Sequence, residues 1–238
     1  MKILVTGAFG YLGSSLVLQL LKKNHHVVAY DKMYFGCPSV FLNKFKNLEI
    51  VNGDIGDQKL ISKYIQKCER LIHLAGIVGE EACNANKVLA KKTNFSDVIK
   101  MLKICERKKL KHLIYVSTCS NYGIQEKQNF LKEENLLKPI SSYSKQKVKI
   151  EEFVINKYNK NYTILRLGTL CGLSPRMRFD LLINDMCRAA ALNKKIILFS
   201  PSSWRPYLCM DDAVISIEKI LSAKKELINS EIFNIVGE

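Results

Sequence analysis

No apolar run in this chain reaches the roughly 18 residues that a membrane-spanning helix needs. No membrane partner is therefore expected. The chain opens directly into an apolar strand-like run, without a basic-then-apolar leader, so the expected location is cytoplasmic. Its eight cysteines include no C-x-x-C pair, and its four histidines do not cluster. That pattern excludes a zinc site and a disulfide framework, leaving reduced thiols and no metal. Acidic residues are scarce: 22 Asp and Glu face 37 Lys and Arg, a formal net charge of +15. The lysines are dispersed in pairs such as Lys91-Lys92 and Lys224-Lys225 near predicted helix ends. A nucleic-acid surface would need clustering with exposed aromatics, so no nucleic-acid partner is expected. An anionic small molecule suits a basic protein. Prolines number only five, and no repeat, linker or low-complexity tract breaks the 238 residues.

What is present is concentrated at the start. Lys2-Ile3-Leu4-Val5-Thr6 reads as a buried strand. Gly7-Ala8-Phe9-Gly10-Tyr11-Leu12-Gly13 follows at once. Leu12, Leu16, Leu20 and Leu21 then recur at helical spacing, and a second apolar run ends at Asp31. Strand, glycine turn, helix, strand and acidic residue is the order that holds a dinucleotide. Gly7 permits the tight turn. Gly10 leaves room for a pyrophosphate, and Gly13 lets the helix pack closely. The helix N-terminus offers free N–H groups and partial positive charge. Asp31 suits a ribose diol and repels a 2′-phosphate, so NAD is the expected cofactor over NADP. The spacing is GxxGxxG, one residue wider at its start than GxGxxG. Three glycines alone would equally serve packing; the surrounding elements and Asp31 carry the reading.

Strands are further expected at 48–51, 70–74, 111–116 and 162–167. Helices are expected after Asp57 to residue 67, over 86–107 and over 143–158. This alternation predicts an α/β fold: a doubly wound parallel Rossmann sheet with right-handed crossovers. Beyond residue 167 the pattern breaks into short pieces: helices at 179–192 and 211–223, strands at 195–199 and 232–236. Residues 1–167 are thus read as the NAD-binding domain. Residues 168–238 are read as a small, interleaved substrate-binding cap over the carboxyl ends of the strands. The long loop over 120–142 is of a length that usually serves function.

Tyr143 and Lys147 lie four apart, so on a helix they share one face about 6 Å apart along the axis. A tyrosine of pKa about 10 needs roughly 4 kcal/mol of help to act as a base near pH 7. A neighbouring ammonium and a bound nicotinium supply positive charge where it counts. Tyr143 would take a hydroxyl proton while hydride leaves the same carbon. Thr118, just past the fifth strand, would orient the reacting oxygen. An ordinary helix start and strand end would carry the same three residues.

Several motifs together resemble the extended short-chain dehydrogenase/reductases, in particular the NAD-dependent epimerase/dehydratase group acting on nucleotide sugars. They are the run from Val5 to Gly13, Gly53-Asp54-Ile55, His73-Leu74-Ala75-Gly76, Asn94, the run from Ser117 to Gly123, Tyr143 to Lys147, and Trp204-Arg205-Pro206-Tyr207. The resemblance covers nearly the whole chain. It implies that Gly7, Phe9, Gly10, Tyr11, Leu12, Gly13 and Asp31 hold the cofactor, with Asp54 and Ile55 flanking adenine. By the same resemblance Leu74, Ala75, Gly76 and Asn94 line the cofactor beside Tyr143 and Lys147, and Thr118, Tyr143 and Lys147 are catalytic. Arg205 corresponds to an arginine that grips a substrate diphosphate, and Arg176 and Arg178 stand in the expected substrate loop. A nucleotide-sugar substrate and a homodimer formed through the helices at 86–107 and 143–158 are also implied.

Two features depart from the family pattern. Thr169 stands where many sugar epimerases carry an asparagine. The chain reaches Glu238 where members run on, so the cap is expected to be short or differently built. The 4,6-dehydratase branch carries an Asp–Glu pair directly after the threonine, whereas Cys119 and Ser120 stand here and Glu126 is the next carboxylate. Epimerisation, or a simple oxidation or reduction, is therefore expected rather than loss of water. The competing reading is a catalytically weak NAD-binding module with a regulatory or interaction role.

Overall fold

The computed structural model describes residues 1–41, 45–124, 130–198 and 204–237. The apolar runs of the first two thirds become parallel strands: β1 (Lys2–Thr6), β2 (His26–Asp31), β3 (Leu48–Asn52), β4 (Arg70–His73), β5 (His112–Thr118) and β6 (Tyr162–Leu167). With β9 (Glu231–Ile235) they form a seven-stranded, wholly parallel sheet in the order β3-β2-β1-β4-β5-β6-β9. Continuous apolar runs are what a sheet covered on both faces requires.

The period-2 alternation of each strand splits the core into two layers. Ile3 and Val5 face one layer, with Leu16 and Leu20 of α1 (Tyr11–Lys22) and Ile217 and Leu221 of α8 (Met210–Ser222). Leu4 faces the other. It packs in one cluster with Ile61 of α2 (Gln58–Lys67), Met101 of α5 (Asp97–Arg107) and Ile150 of α6 (Ser142–Lys157). Asp57 caps α2 as expected, its carboxylate accepting from the Leu60 N–H at 3.0 Å.

Strand order reverses between β1 and β4, and at such a point a crevice opens beyond the carboxyl ends of the strands. The glycine turn leaves β1 there.

Several elements differ from the sequence expectation. The helix expected over 86–107 is α4 (Lys87–Lys91), a π-helical turn at Lys92–Ser96, and α5. A short helix α3 (Glu80–Ala85) precedes it. Two three-residue strands, β7 (Thr169–Cys171) and β8 (Tyr207–Cys209), pair in parallel as a separate ladder. The expected strand at 195–199 is absent over 195–198; Phe199 lies outside the described residues. Helix α7 (Leu182–Asn193) ends at Lys194 in the left-handed region, and Ile196, Ile197 and Leu198 then run exposed, with no strand beside them among the described residues. A strand needs a partner ladder, and apolar composition alone did not provide one.

Candidate functional site

Gly7 turns the chain off β1 with φ +71°, and a Cβ there would stand 2.6 Å from the Ala75 nitrogen. The turn after β1 and the loop after β4 are therefore in direct contact, and only glycine fits. A Cβ on Gly13 would strike the Gly7 carbonyl oxygen at 2.1 Å, so Gly13 packs against the glycine turn itself. Gly10 differs: its added Cβ would meet only the Gly7 oxygen, at 3.3 Å. The open side of Gly10 lies at the N-terminus of α1, where no side chain caps the first-turn N–H groups. Space, free donors and the helix dipole together fit a pyrophosphate.

Asp31 is more occupied than the sequence indicates. Its Oδ2 accepts from the Phe9 N–H at 2.9 Å and its Oδ1 from the Met33 N–H at 2.7 Å. Each oxygen keeps a further lone pair for a ribose hydroxyl. Asp54 is fixed by the Gly56 N–H at 2.8 Å and by Lys32 Nζ at 2.8 Å. Burial pushes its carboxyl up, yet the Lys32 and Gly56 contacts outweigh that and hold it below the usual range. Ile55 beside it is buried. Leu74 continues the register, donating its N–H to the Thr6 carbonyl at 3.0 Å. Asn94 is buried in the π-helical turn, with both amide atoms bonded to the Ile77 backbone at 2.8 and 2.9 Å. It clamps the loop after β4; a Cβ on Gly76 would press on its Oδ1 at 3.1 Å.

Tyr143 and Lys147 share the first turns of α6, and Thr118 ends β5, the strand that Lys147 bonds. Ser141 caps α6 by accepting from the Ser144 N–H at 3.1 Å, which fixes the first turn where Tyr143 sits. Lys147 Nζ lies 5.8 Å from the Tyr143 ring centre and donates to the Val116 carbonyl of β5 at 2.8 Å. Thr118 closes β5, its hydroxyl accepting from the Ser120 N–H at 3.1 Å. Burial pushes the Lys147 ammonium down to about 8, with Glu151 pulling the other way. Burial holds the Tyr143 hydroxyl well above its usual range; Cys83 adds to this and Arg178 opposes it. Two cations therefore stand near Tyr143: Lys147 one turn along α6, and Arg178, which the sequence assigns to the substrate loop.

A buried polar network lies behind this pair, and the sequence analysis did not single it out. Glu151, one turn beyond Lys147, accepts from Ser117 Oγ, from Asn121 Nδ2 at 2.7 Å and from Arg166 Nη2 at 2.7 Å. Arg166 of β6 also donates to the Tyr122 hydroxyl at 2.7 Å and the Glu133 carbonyl at 2.9 Å. Tyr122 donates on to Asn234 of β9 at 2.8 Å. These bonds join β5, α6, β6 and β9 around the candidate reacting centre. A signal existed: Tyr143, Lys147 and Glu151 repeat every four residues on one helix face, and an arginine interrupts the apolar run of β6.

The segment after β7 is stitched to the start of α1. The Tyr11 hydroxyl donates to the Gly172 carbonyl at 2.6 Å and accepts from Asn184 Nδ2 at 2.9 Å. Ser174 Oγ donates to the Tyr11 carbonyl at 2.6 Å. The three expected arginines separate. Arg178 pairs with Asp180 and reaches Tyr143 electrostatically. The Arg176 guanidinium stacks on Phe35, 3.7 Å from the ring centre, with Asp31 near enough to act on it. Arg205 stands exposed just before β8. Among the described residues no group of His, Cys, Asp or Glu could hold a metal ion, and no helix is long and apolar enough to cross a membrane.

Comparison with known proteins agrees with this geometry. The model of the NAD dependent epimerase/dehydratase family matches residues 3–236. The uncharacterized UDP-glucose epimerase YtcB of Bacillus subtilis is 30% identical over 252 residues, covering 100% of this chain and 77% of that protein. The dTDP-D-glucose 4,6-dehydratase of Dictyostelium discoideum is 28% identical, covering 92% of this chain and 55% of that protein. The crystal structure of UDP-glucuronic acid 4-epimerase from Bacillus cereus, in complex with UDP-glucuronic acid and NAD, superposes with a TM-score of 0.87 at 29% identity. That match covers 100% of this chain and 78% of the Bacillus cereus chain. With the sheet order, the glycine turn and the full-length family match in agreement, the chain belongs to the NAD-dependent epimerase/dehydratase family.

Proposed function

We propose that this chain is an NAD-dependent nucleotide-sugar 4-epimerase. The observation that carries the reading is the Tyr143–Lys147 pair on α6, with Lys147 bonded to β5 two residues before Thr118; Cys119 and Ser120 stand where an eliminating enzyme needs an acid and a base. The glycine turn, Asp31, Asp54, Ile55, Leu74 and Ala75 would hold NAD, and Asn94 would act by fixing the loop after β4. Bound there, NAD would supply reversible hydride exchange with a sugar carbon. Thr118 would orient the sugar hydroxyl, and Tyr143 would accept its proton at Oη. Lys147 and Arg178 contribute the positive charge that favours the tyrosinate. Arg205 would grip the diphosphate, a role suited to a guanidinium fork, with Arg178 nearer the sugar and Arg176 nearer the cofactor.

Water elimination needs an additional acid and base. Burial pushes the Cys119 thiol up to about 11, with Arg166 opposing, which makes it a poor proton-transfer group near neutrality. Glu126, the next carboxylate in sequence, lies outside the described residues. The expected result of incubating the protein with NAD and UDP-glucose, UDP-arabinose or UDP-glucuronic acid is a C4 epimer of unchanged mass. A product lighter by one water would refute the epimerase assignment in favour of a dehydratase. A second reading, an NAD-binding module without turnover, draws on the raised Tyr143 hydroxyl. It predicts NAD retained through purification and no product from any of the three sugars.

A further inference from the structure

The β7·β8 ladder places two cysteines side by side. Cys171 and Cys209 are register partners on parallel neighbouring strands, so their side chains leave the same face. Neighbouring strands lie about 4.8 Å apart, inside the roughly 4.4–6.8 Å Cα separation that a disulfide spans. The Cys171 thiol is within hydrogen-bonding reach of Cys209 and also donates to the Leu208 carbonyl at 3.7 Å. Cys209 is exposed and Cys171 half-buried. A third cysteine, Cys187 of α7, is exposed and near enough to act on Cys171. No metal-holding group exists among the described residues, so the cluster is not a metal site.

We propose that Cys171 and Cys209 form a dithiol site that closes reversibly to a disulfide with a peroxide as oxidant. The Cys209 thiolate attacks one peroxide oxygen; the O–O bond breaks, water leaves after protonation, and Cys209 becomes a sulfenic acid. The Cys171 sulfur then attacks Cys209 Sγ; the S–O bond breaks, and the hydroxide takes the Cys171 proton as a second water. Two thiols lose two electrons and the peroxide gains them. A dithiol reductant reverses the change.

The position gives the bond leverage. Gly172, which follows Cys171, receives the hydrogen bond from Tyr11 in the glycine turn, and β8 begins two residues after Arg205. Closing the bond joins the loop tied to the glycine turn to the strand that follows Arg205. The chemistry of the site stands whether or not the chain turns over a sugar.

The test treats the full chain with hydrogen peroxide and reads intact mass and peptide maps. The expected result is loss of two hydrogens within one chain, a Cys171–Cys209 cross-linked peptide, and full reversal by dithiothreitol. Cys171→Ser and Cys209→Ser should each abolish the cross-link, while Cys187→Ser should keep it. Recovery of both cysteines as alkylatable thiols, a Cys187-containing cross-link, or over-oxidation of Cys209 without any cross-link would overturn the proposal.

Discussion

On the proposed function, Asp31 would serve the protein and its ligand with the same two oxygens. It ties Phe9 of the glycine turn and Met33 of the following loop, so the carboxylate proposed to face the ribose is held in place by the protein itself. Lys32 next to it would weaken selection against a 2′-phosphate if its charge were free. Its ammonium instead lies 2.8 Å from Asp54 Oδ2. NAD is therefore expected to bind at least tenfold more tightly than NADP, about 1.4 kcal/mol. Equal or tighter NADP binding in a titration would contradict this. Lys147 makes a second residue-scale case. Its ammonium is buried and pushed from 10.5 to about 8, so the folded state holds that proton less tightly than the unfolded chain. Stability should rise with pH between about 8 and 10.5, and the full cost of the buried charge is present below 8. Lys147→Met removes the charge and also its bond to the Val116 carbonyl, leaving a net gain of about 1–2 kcal/mol at pH 7. The variant should melt several degrees higher by calorimetry while losing turnover. A lower melting temperature would mean that the Val116 bond outweighs the desolvation of the ammonium.

At the scale of elements, the π-helical turn, α5 and α6 present a groove containing Phe95, Ile99 and Phe153, flanked by Lys100, Lys103, Lys149 and Lys157 with Glu152 as its one acid. We propose that this face joins two copies of the chain in a four-helix bundle. A two-fold axis brings the lysine rims toward each other, so screening should favour association. Light scattering should show a dimer at micromolar concentration, with severalfold tighter association at about 0.5 M salt than at 0.05 M. A monomer at every salt concentration would defeat it. What the sequence disclosed follows the range of the interactions. The parallel strands were legible because burial on both faces leaves unbroken apolar runs, and Asp57 because a cap is local. Strands β7 and β8 were not, since three half-buried residues carry no period. Ile196-Ile197-Leu198 misled because composition does not name a partner. The bond from Tyr11 to Gly172 spans 161 positions, and nothing near either residue announces it. Glu151 and Arg166 were legible in principle, because a buried ion pair breaks the apolar pattern of β6 and α6.

The whole molecule carries +15, and that charge resists any further protonation of its interior. Two histidines sit inside the sheet. His73 ends β4 with Nδ1 2.8 Å from the Thr6 hydroxyl and its ring stacked on Tyr115. His112 opens β5 with Nε2 3.0 Å from the Thr163 hydroxyl. Burial, aided by Lys147, pushes His73 from 6.5 to about 3. Burial, aided by Arg70, pushes His112 from 6.5 to about 4. Both are neutral in the folded state near neutral pH, and the unfolded chain binds their protons first as pH falls. Stability is therefore lost progressively between about pH 6.5 and 4, with His73 continuing toward 3. At pH 5 each histidine costs about 2 kcal/mol, or about 4 kcal/mol together. Against the roughly 5–15 kcal/mol by which domains are stable, that is a large share. Most carboxylates titrate below this window, so the loss should come before general acid unfolding. Urea denaturation at pH 7 and pH 5 should show the drop, and His73→Gln with His112→Gln should flatten the pH dependence even if the variant is less stable at pH 7. An unchanged slope in that double variant would place the acid sensitivity in other groups.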